Sequence, residues 1–198
     1  MSRRRLSALG KMAVSVADRA LHALDLAPQE VPIVWASRYG DAQRSLELLR
    51  QQAQGEPLSP TAFGLSVHNG IAAQHSIQRT VHANGLCVAA GQHTAEAGLV
   101  EALGLLAEGH EHVLLVCYDT PLPGEYAVFH DEAAAPYAWA WLLKKAQTGV
   151  TSIALQTRAM TVSLPGDNRL PHGLQVLHWM LSQSSGASTQ WHWDSVHA

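Results

Sequence analysis

The sequence offers two thiols, Cys87 in GLCVAA and Cys117 in VLLVCY. A thiolate can carry an acyl group or open a thioester, provided that a helix N-terminus, a cation or a histidine lowers its pKa. Both cysteines instead lie in apolar runs, where burial raises the thiol pKa and suppresses the reactive form. The reading favoured for each is a small core residue. Serine offers no substitute, since no G-x-S-x-G elbow occurs. The glycines form neither G-x-G-x-x-G nor a phosphate loop, so no cofactor is expected.

The twelve histidines are the other reserve of chemistry. His110-Glu111-His112 has the residue types of a metal site, but no third ligand follows at a zinc-like spacing and no H-E-x-x-H is present, so no metal is expected. His68, His75 and His82 recur at seven-residue steps, which places the first two on one face of a predicted helix. Packing against a neighbouring element or subunit explains that spacing as well as ligation does.

The elements that must hold these residues follow from periodicity. Leu6, Leu9, Met12, Ala13, Val16, Ala20, Leu21 and Leu24 predict an amphipathic helix over 6–26, broken by Pro28 and Pro32. A buried strand fits 31–36, a helix 41–54, and after the turn-rich GEPLSP a further helix fits 66–78. Residues 86–90 read as a strand bounded by Asn84-Gly85 and Gly91, and 93–107 as a helix with Leu99, Leu103 and Leu106 inward. HVLLVCY, 112–118, is continuously apolar and reads as a strand covered on both faces. Strands at 137–143 and 151–156 are expected to pair antiparallel, before a helix over 174–181 and a loose polar tail bearing Trp191 and Trp193. Strands alternating with helices predict an α/β unit with a mostly parallel sheet.

Composition narrows the function. The chain has 198 residues, 47% hydrophobic and 15% charged, with a formal charge of −3. No global positive field exists to hold nucleic acid or an anionic membrane. The longest strongly apolar stretches, such as 113–116, fall far short of the ~20 residues of a membrane span. The basic opening MSRRRLSALGKMAV imitates a signal peptide, but Lys11 and Asp18 interrupt it and no small-residue cleavage site follows. Two cysteines suit a reducing compartment, and a cytoplasmic location is expected.

The informative segment runs from Phe63 to Leu106, where a strand meets a helix at Gly91-Gln92. Such a junction favours a reactive group, because the helix N-terminus presents unpaired N–H donors and the positive end of its dipole. Here the sequence resembles the β-ketoacyl synthases of the thiolase superfamily, whose N-terminal half has an N-x-x-A-G-Q-x-x-I helix, a strand, and a T-A-C-S/A-S junction carrying the nucleophilic cysteine. NGIAAQHSI, 69–77, matches the helix and LCVAA the strand. An ungapped match puts Gln92 at the cysteine's place, with Cys87 five positions early. The R-R-L-S opening, the SVHN segment and C-Y-D-x-P-L-P-x-x-Y, 117–126, look most like a truncated group of chain length factors in aryl polyene clusters.

The resemblance covers roughly 1–160 as a thiolase-like half, with a mixed, mostly parallel five-stranded sheet flanked by helices, and leaves 161–198 as a C-terminal helix and tail. The family's fold normally begins with a strand before the first helix, and here that strand is missing or lies upstream of the given start. An amide cannot form a thioester, and the family's second half, with its paired histidines, is lacking. The resemblance therefore implies a noncatalytic subunit that heterodimerises with an active β-ketoacyl-acyl-carrier-protein synthase, and through it meets acyl carrier protein. Phe63, His68, Asn69, Leu86, Val88 and Gln92 are its interface or tunnel candidates, with the strand at 86–90 pairing across the dimer axis. Gln92 capping the following helix is an equally good account of that residue.

Two other readings stay open: a homodimeric scaffold, and an independent acyltransferase or thioesterase using Cys87 or Cys117. Incubating the chain with acyl-carrier thioesters and weighing it intact separates the last of these. The subunit reading expects no acyl adduct, whereas the enzyme reading expects one and a thiol titrating well below ~8.5.

Overall fold

The computed structural model describes residues 5–23, 29–157, 169–182, 186–187 and 191–197. Ser7 starts helix α1 (Ala8–His22) by accepting from Gly10 N at 3.1 Å, and Leu9, Ala13, Val14, Ala17 and Leu21 make its buried stripe. Part of the predicted extension to 26 lies outside the described residues. Strand β1 (Ile33–Ala36) and helix α2 (Ala42–Ala53) come next.

Two helices occupy the segment read as a turn followed by one helix. Ser59 caps α3 (Pro60–Ser66), and α4 (Gly70–Arg79) begins only after an extended Val67. Gly70 makes this break possible, because a Cβ there would stand 2.8 Å from the carbonyl oxygen of Leu65. His68 therefore precedes α4 and does not share a helix face with His75. The latter is buried inside α4, 3.3 Å from Asp18 of α1, and its ring packs edge-on to Trp35.

Strand β2 (Gly85–Val88) leads to α5 (Thr94–Ala107), β3 (Val113–Asp119), a 3-10 turn over Gly124–Phe129, and β4 (Tyr137–Leu143). The main sheet has the order β2-β1-β3-β4, with β1 parallel to both neighbours and β4 antiparallel to β3. All seven residues of β3 are buried, as its unbroken apolar run predicts. Alternate residues divide the core. Ile33, Trp35, Leu114, Val116 and Tyr118 pack with α1 and with Ile71 of α4. Val34, Ala36, Leu115 and Cys117 pack with α5 and with α6 (His172–Ser182).

The mixed sheet flanked by helices is thus the expected one, with four strands in it. The fifth predicted strand forms as β5 (Thr151–Thr157), but it does not pair with β4. It joins a second sheet of order β5-β7-β6, with β6 at Gly186–Ala187 and β7 at Trp191–His197. The tail is therefore not loose: its seven residues pair antiparallel with β5, from Thr157 opposite Trp191 to Thr151 opposite His197. A seven-residue ladder satisfies the facing backbone groups of both segments, an option that proximity along the chain could not reveal.

Helix α5 lies close against the sheet because Gly98 faces it. A Cβ at Gly98 would meet Leu115 Cδ1 at 2.8 Å and Ala36 Cβ at 2.9 Å, whereas one at Gly104 in the same helix meets nothing within 4 Å. Gly98→Ala should destabilise the fold by about 1–3 kcal/mol through overpacking, and Gly104→Ala should stabilise it by roughly 0.5–1 kcal/mol through helix propensity. Urea midpoints of the two variants check the opposite signs.

Candidate functional site

The turn from β2 into α5 is held by its own backbone. Gly91 takes a φ of +59°, in the left-handed region that a side chain disfavours. Thr94 Oγ accepts from Ala90 N at 3.0 Å and donates to the Gly91 carbonyl at 2.7 Å, while His93 N donates to the Ala90 carbonyl at 3.2 Å. His93 takes the N-cap position of α5. Gln92, one residue earlier, is exposed and does not cap the helix. Its Nε2 donates to the Asp131 carbonyl at 3.5 Å, the outer limit of a hydrogen bond.

The wall beside Gln92 is a polar loop fastened to the end of β3. Asp119 accepts from Ser37 Oγ at 2.8 Å, Arg38 N at 2.9 Å, Tyr39 N at 3.1 Å and Tyr137 OH at 3.3 Å. Burial pushes its carboxyl pKa up, and these four donors pull it down without cancelling the burial. The loop orients Arg38, which forks onto both oxygens of Asp131 at 2.7 Å and reaches Glu132 at 3.3 Å. Arg38 holds the Asp131 carboxyl below its ordinary range. The other side of the loop is closed by His68, whose Nε2 donates to the Ser37 carbonyl at 2.7 Å, with Gly40 at a φ of +58° beneath its ring.

Neither thiol joins this arrangement as a nucleophile. Cys87 is half-buried on β2 with its pKa pushed up by burial to about 11, and Cys117 is buried in β3 with its own raised well above the ordinary value. His110 and His112 gain no third ligand among the described residues. Of the other sequence candidates, Leu86 and Val88 pack half-buried against the core from β2, Asn69 stands exposed at the N-cap of α4, and Phe63 on α3 is 63% exposed. The structure brings His68 and Gln92 to opposite ends of the Ser37–Asp131 network and leaves Phe63 outside it. Sequence reasoning missed Asp119, Asp131, Glu132, Glu96 and His172. Asp119 carried a usable signal, a carboxylate ending an apolar strand; Asp131 and Glu132 lie in a segment without periodicity.

Strand β2 is the outer strand of the main sheet, and its free edge pairs with no described strand. The helices before it expose apolar side chains, Phe63 on α3 and Ile77 on α4, the latter 71% exposed. Between α4 and the sheet lies a cleft of about 220 Å³ lined by Trp35, Asn69, Ala73, His75 and Cys87. No described helix is long and apolar enough to cross a membrane.

Residues 1–194 match the family model described as beta-ketoacyl synthase, N-terminal domain. A chain in the structure of the ketosynthase ApeO in complex with its chain length factor ApeC, from Xenorhabdus doucetiae, aligns over 98% of this chain and 80% of its own length, at 30% identity and a TM-score of 0.82. The ishigamide ketosynthase/chain length factor aligns over 81% of this chain at 15% identity and a TM-score of 0.63, and this chain spans about half of that one, at 51%. No curated protein matches in sequence.

The loop geometry is tested at its anchor. Asp119→Ala leaves the Ser37 hydroxyl and two backbone N–H groups without their acceptor, and should lower stability by about 3 kcal/mol. Asp119→Asn keeps one acceptor oxygen and should lose roughly half as much. Denaturant midpoints give both values.

Proposed function

Because the chain belongs to the beta-ketoacyl synthase N-terminal domain family, we propose that it is a noncatalytic subunit of the chain-length-factor type, pairing with an active β-ketoacyl-acyl-carrier-protein synthase in aryl polyene assembly. The observation that carries this reading is the residue at the β2–α5 junction. By resemblance the family's nucleophile position falls on Gln92, which offers an amide at the start of α5, beside a turn held by Gly91 and Thr94. The two thiols are held protonated by burial, so neither supplies the missing chemistry.

The surface supports pairing. β2 ends the sheet with an edge that pairs with no described strand, and an open edge is a template for a strand of another chain. Phe63 and Ile77 add apolar surface on the preceding helices, of the kind that a partner buries. This chain covers 80% of the matched chain in the ApeO–ApeC complex, against 51% of the ishigamide one, which accords with a subunit of the shorter kind. The cleft between α4 and β2, with Trp35 and Asn69 in its lining, is where the chain would bear on an acyl tunnel.

Co-expression with a complete, cysteine-bearing β-ketoacyl-acyl-carrier-protein synthase of an aryl polyene cluster, followed by size-exclusion chromatography, tests the reading. A one-to-one complex is expected, with acyl condensation dependent on the synthase's cysteine and unaffected by Gln92→Ala. Phe63→Asp, at an exposed site, should weaken the complex by about tenfold or more while leaving the melting temperature of the isolated chain unchanged. A chain that elutes alone in the presence of that synthase overturns the proposal.

A further inference from the structure

Next to Gln92, at the N-terminus of α5, three side chains converge that the pairing role does not use. His93 and Glu96 lie three residues apart, at the N-cap and in the first turn of α5, and His172 is the first residue of α6. One ligand atom from each, a ring nitrogen or a carboxylate oxygen, lies within 4.8 Å of the other two. The imidazoles of His93 and His172 stand 5.3 Å apart between centroids and nearly perpendicular, at 85°.

Glu96 is the telling member. Its residue is 0% exposed, and His172 Nε2 lies 2.6 Å from Oε1. Its second oxygen, Oε2, is buried with no hydrogen-bond partner among the described residues. The contact with His172 accounts for one oxygen of the carboxyl group and leaves the other buried and unmatched, an arrangement that costs about 1–3 kcal/mol. A cation shared by the carboxylate and the two imidazoles removes that cost.

We propose that His93, Glu96 and His172 form a binding site for a divalent transition-metal ion of the zinc type. Two imidazoles and one carboxylate are a ligand set that zinc accepts in four-coordinate sites, with the fourth position left to water or another small ligand. A tetrahedral ion with bonds of about 2.1 Å needs its ligand atoms about 3.4 Å apart. The observed convergence, from 2.6 Å to no more than 4.8 Å, brackets that separation and is within reach of side-chain rotation. The backbone already positions both histidines: His93 N is tied to the Ala90 carbonyl, and His172 N donates to Glu132 Oε2 at 2.8 Å. Glu132 in turn meets Arg38, so the site shares its outer support with the Gln92 loop. The inference stands whether or not the chain pairs with a synthase.

The test uses the tag-free full chain, alone and co-purified with the synthase. After dialysis against Zn2+ and desalting, elemental analysis should find one equivalent per chain, and titration with Co2+ should give saturable visible absorption of a four-coordinate centre. His93→Ala and His172→Ala should each weaken binding at least about tenfold, whereas the double variant His110→Ala/His112→Ala should leave it unchanged. Circular dichroism establishes that the variants fold, and the wild-type stoichiometry decides the matter where one does not. Absence of a one-equivalent site in the wild-type chain, or loss of binding only in the His110/His112 variant, overturns the proposal. Metal binding without pairing would sink the subunit reading alone, and pairing without metal would sink this one alone.

Discussion

A single buried carboxylate organises the functional end of this fold. Asp119 closes β3 and collects donors from the loop after β1 and from the first residue of β4, so three strands end at one acceptor. Two of the four groups that it gathers are backbone N–H groups, of Arg38 and Tyr39, that lie outside the sheet ladder, and burying them without a partner would be expensive. From Asp119 the constraint passes to Arg38, from Arg38 to Asp131 and Glu132, and from these to the Gln92 side chain and the start of α6. Residues far apart in sequence thus share one frame, and its geometry depends on one oxygen pair.

The other requirement is a close approach of helix to sheet. α5 carries the junction at its N-terminus, and Gly98 lets it settle on β1 and β3 near Ala36 and Leu115. A larger residue would lift the helix from the sheet and move the whole N-terminal turn with it. The packing of one methyl-sized site and the position of Gln92, His93 and Glu96 are therefore one problem. On the far face α1 supplies the matching layer, and His75 adds a polar member to it by resting against Asp18 and the edge of Trp35.

Much of this was legible in the residues alone. The uninterrupted run ending in VLLVCYD reads as a central strand, and the three- and four-residue spacing in α1 announced a helix with one buried face; in α5 Leu99 and Leu106 are buried as expected, but Leu103 is 48% exposed. The junction at Gly91 was legible too, through a glycine between a strand pattern and a helix pattern. What stayed hidden was long-range pairing. Glu96 and His172 are 76 residues apart, and no period links them. The partner of β5 was equally invisible, since a short connection to β4 suggests adjacency while the ladder runs to the chain's last strand. The start of α3 had a local signal in Ser59-Pro60, which the turn-rich context obscured.

The junction has a consequence for how activity and architecture relate. Its conformation is set by Gly91 and by the hydroxyl of Thr94, and neither contact involves the side chain at position 92. That side chain projects from a frame that stands without it. The side chain at this point is therefore detachable: position 92 can exchange its amide for another group at the cost of one long contact with the Asp131 carbonyl, and the turn keeps its shape.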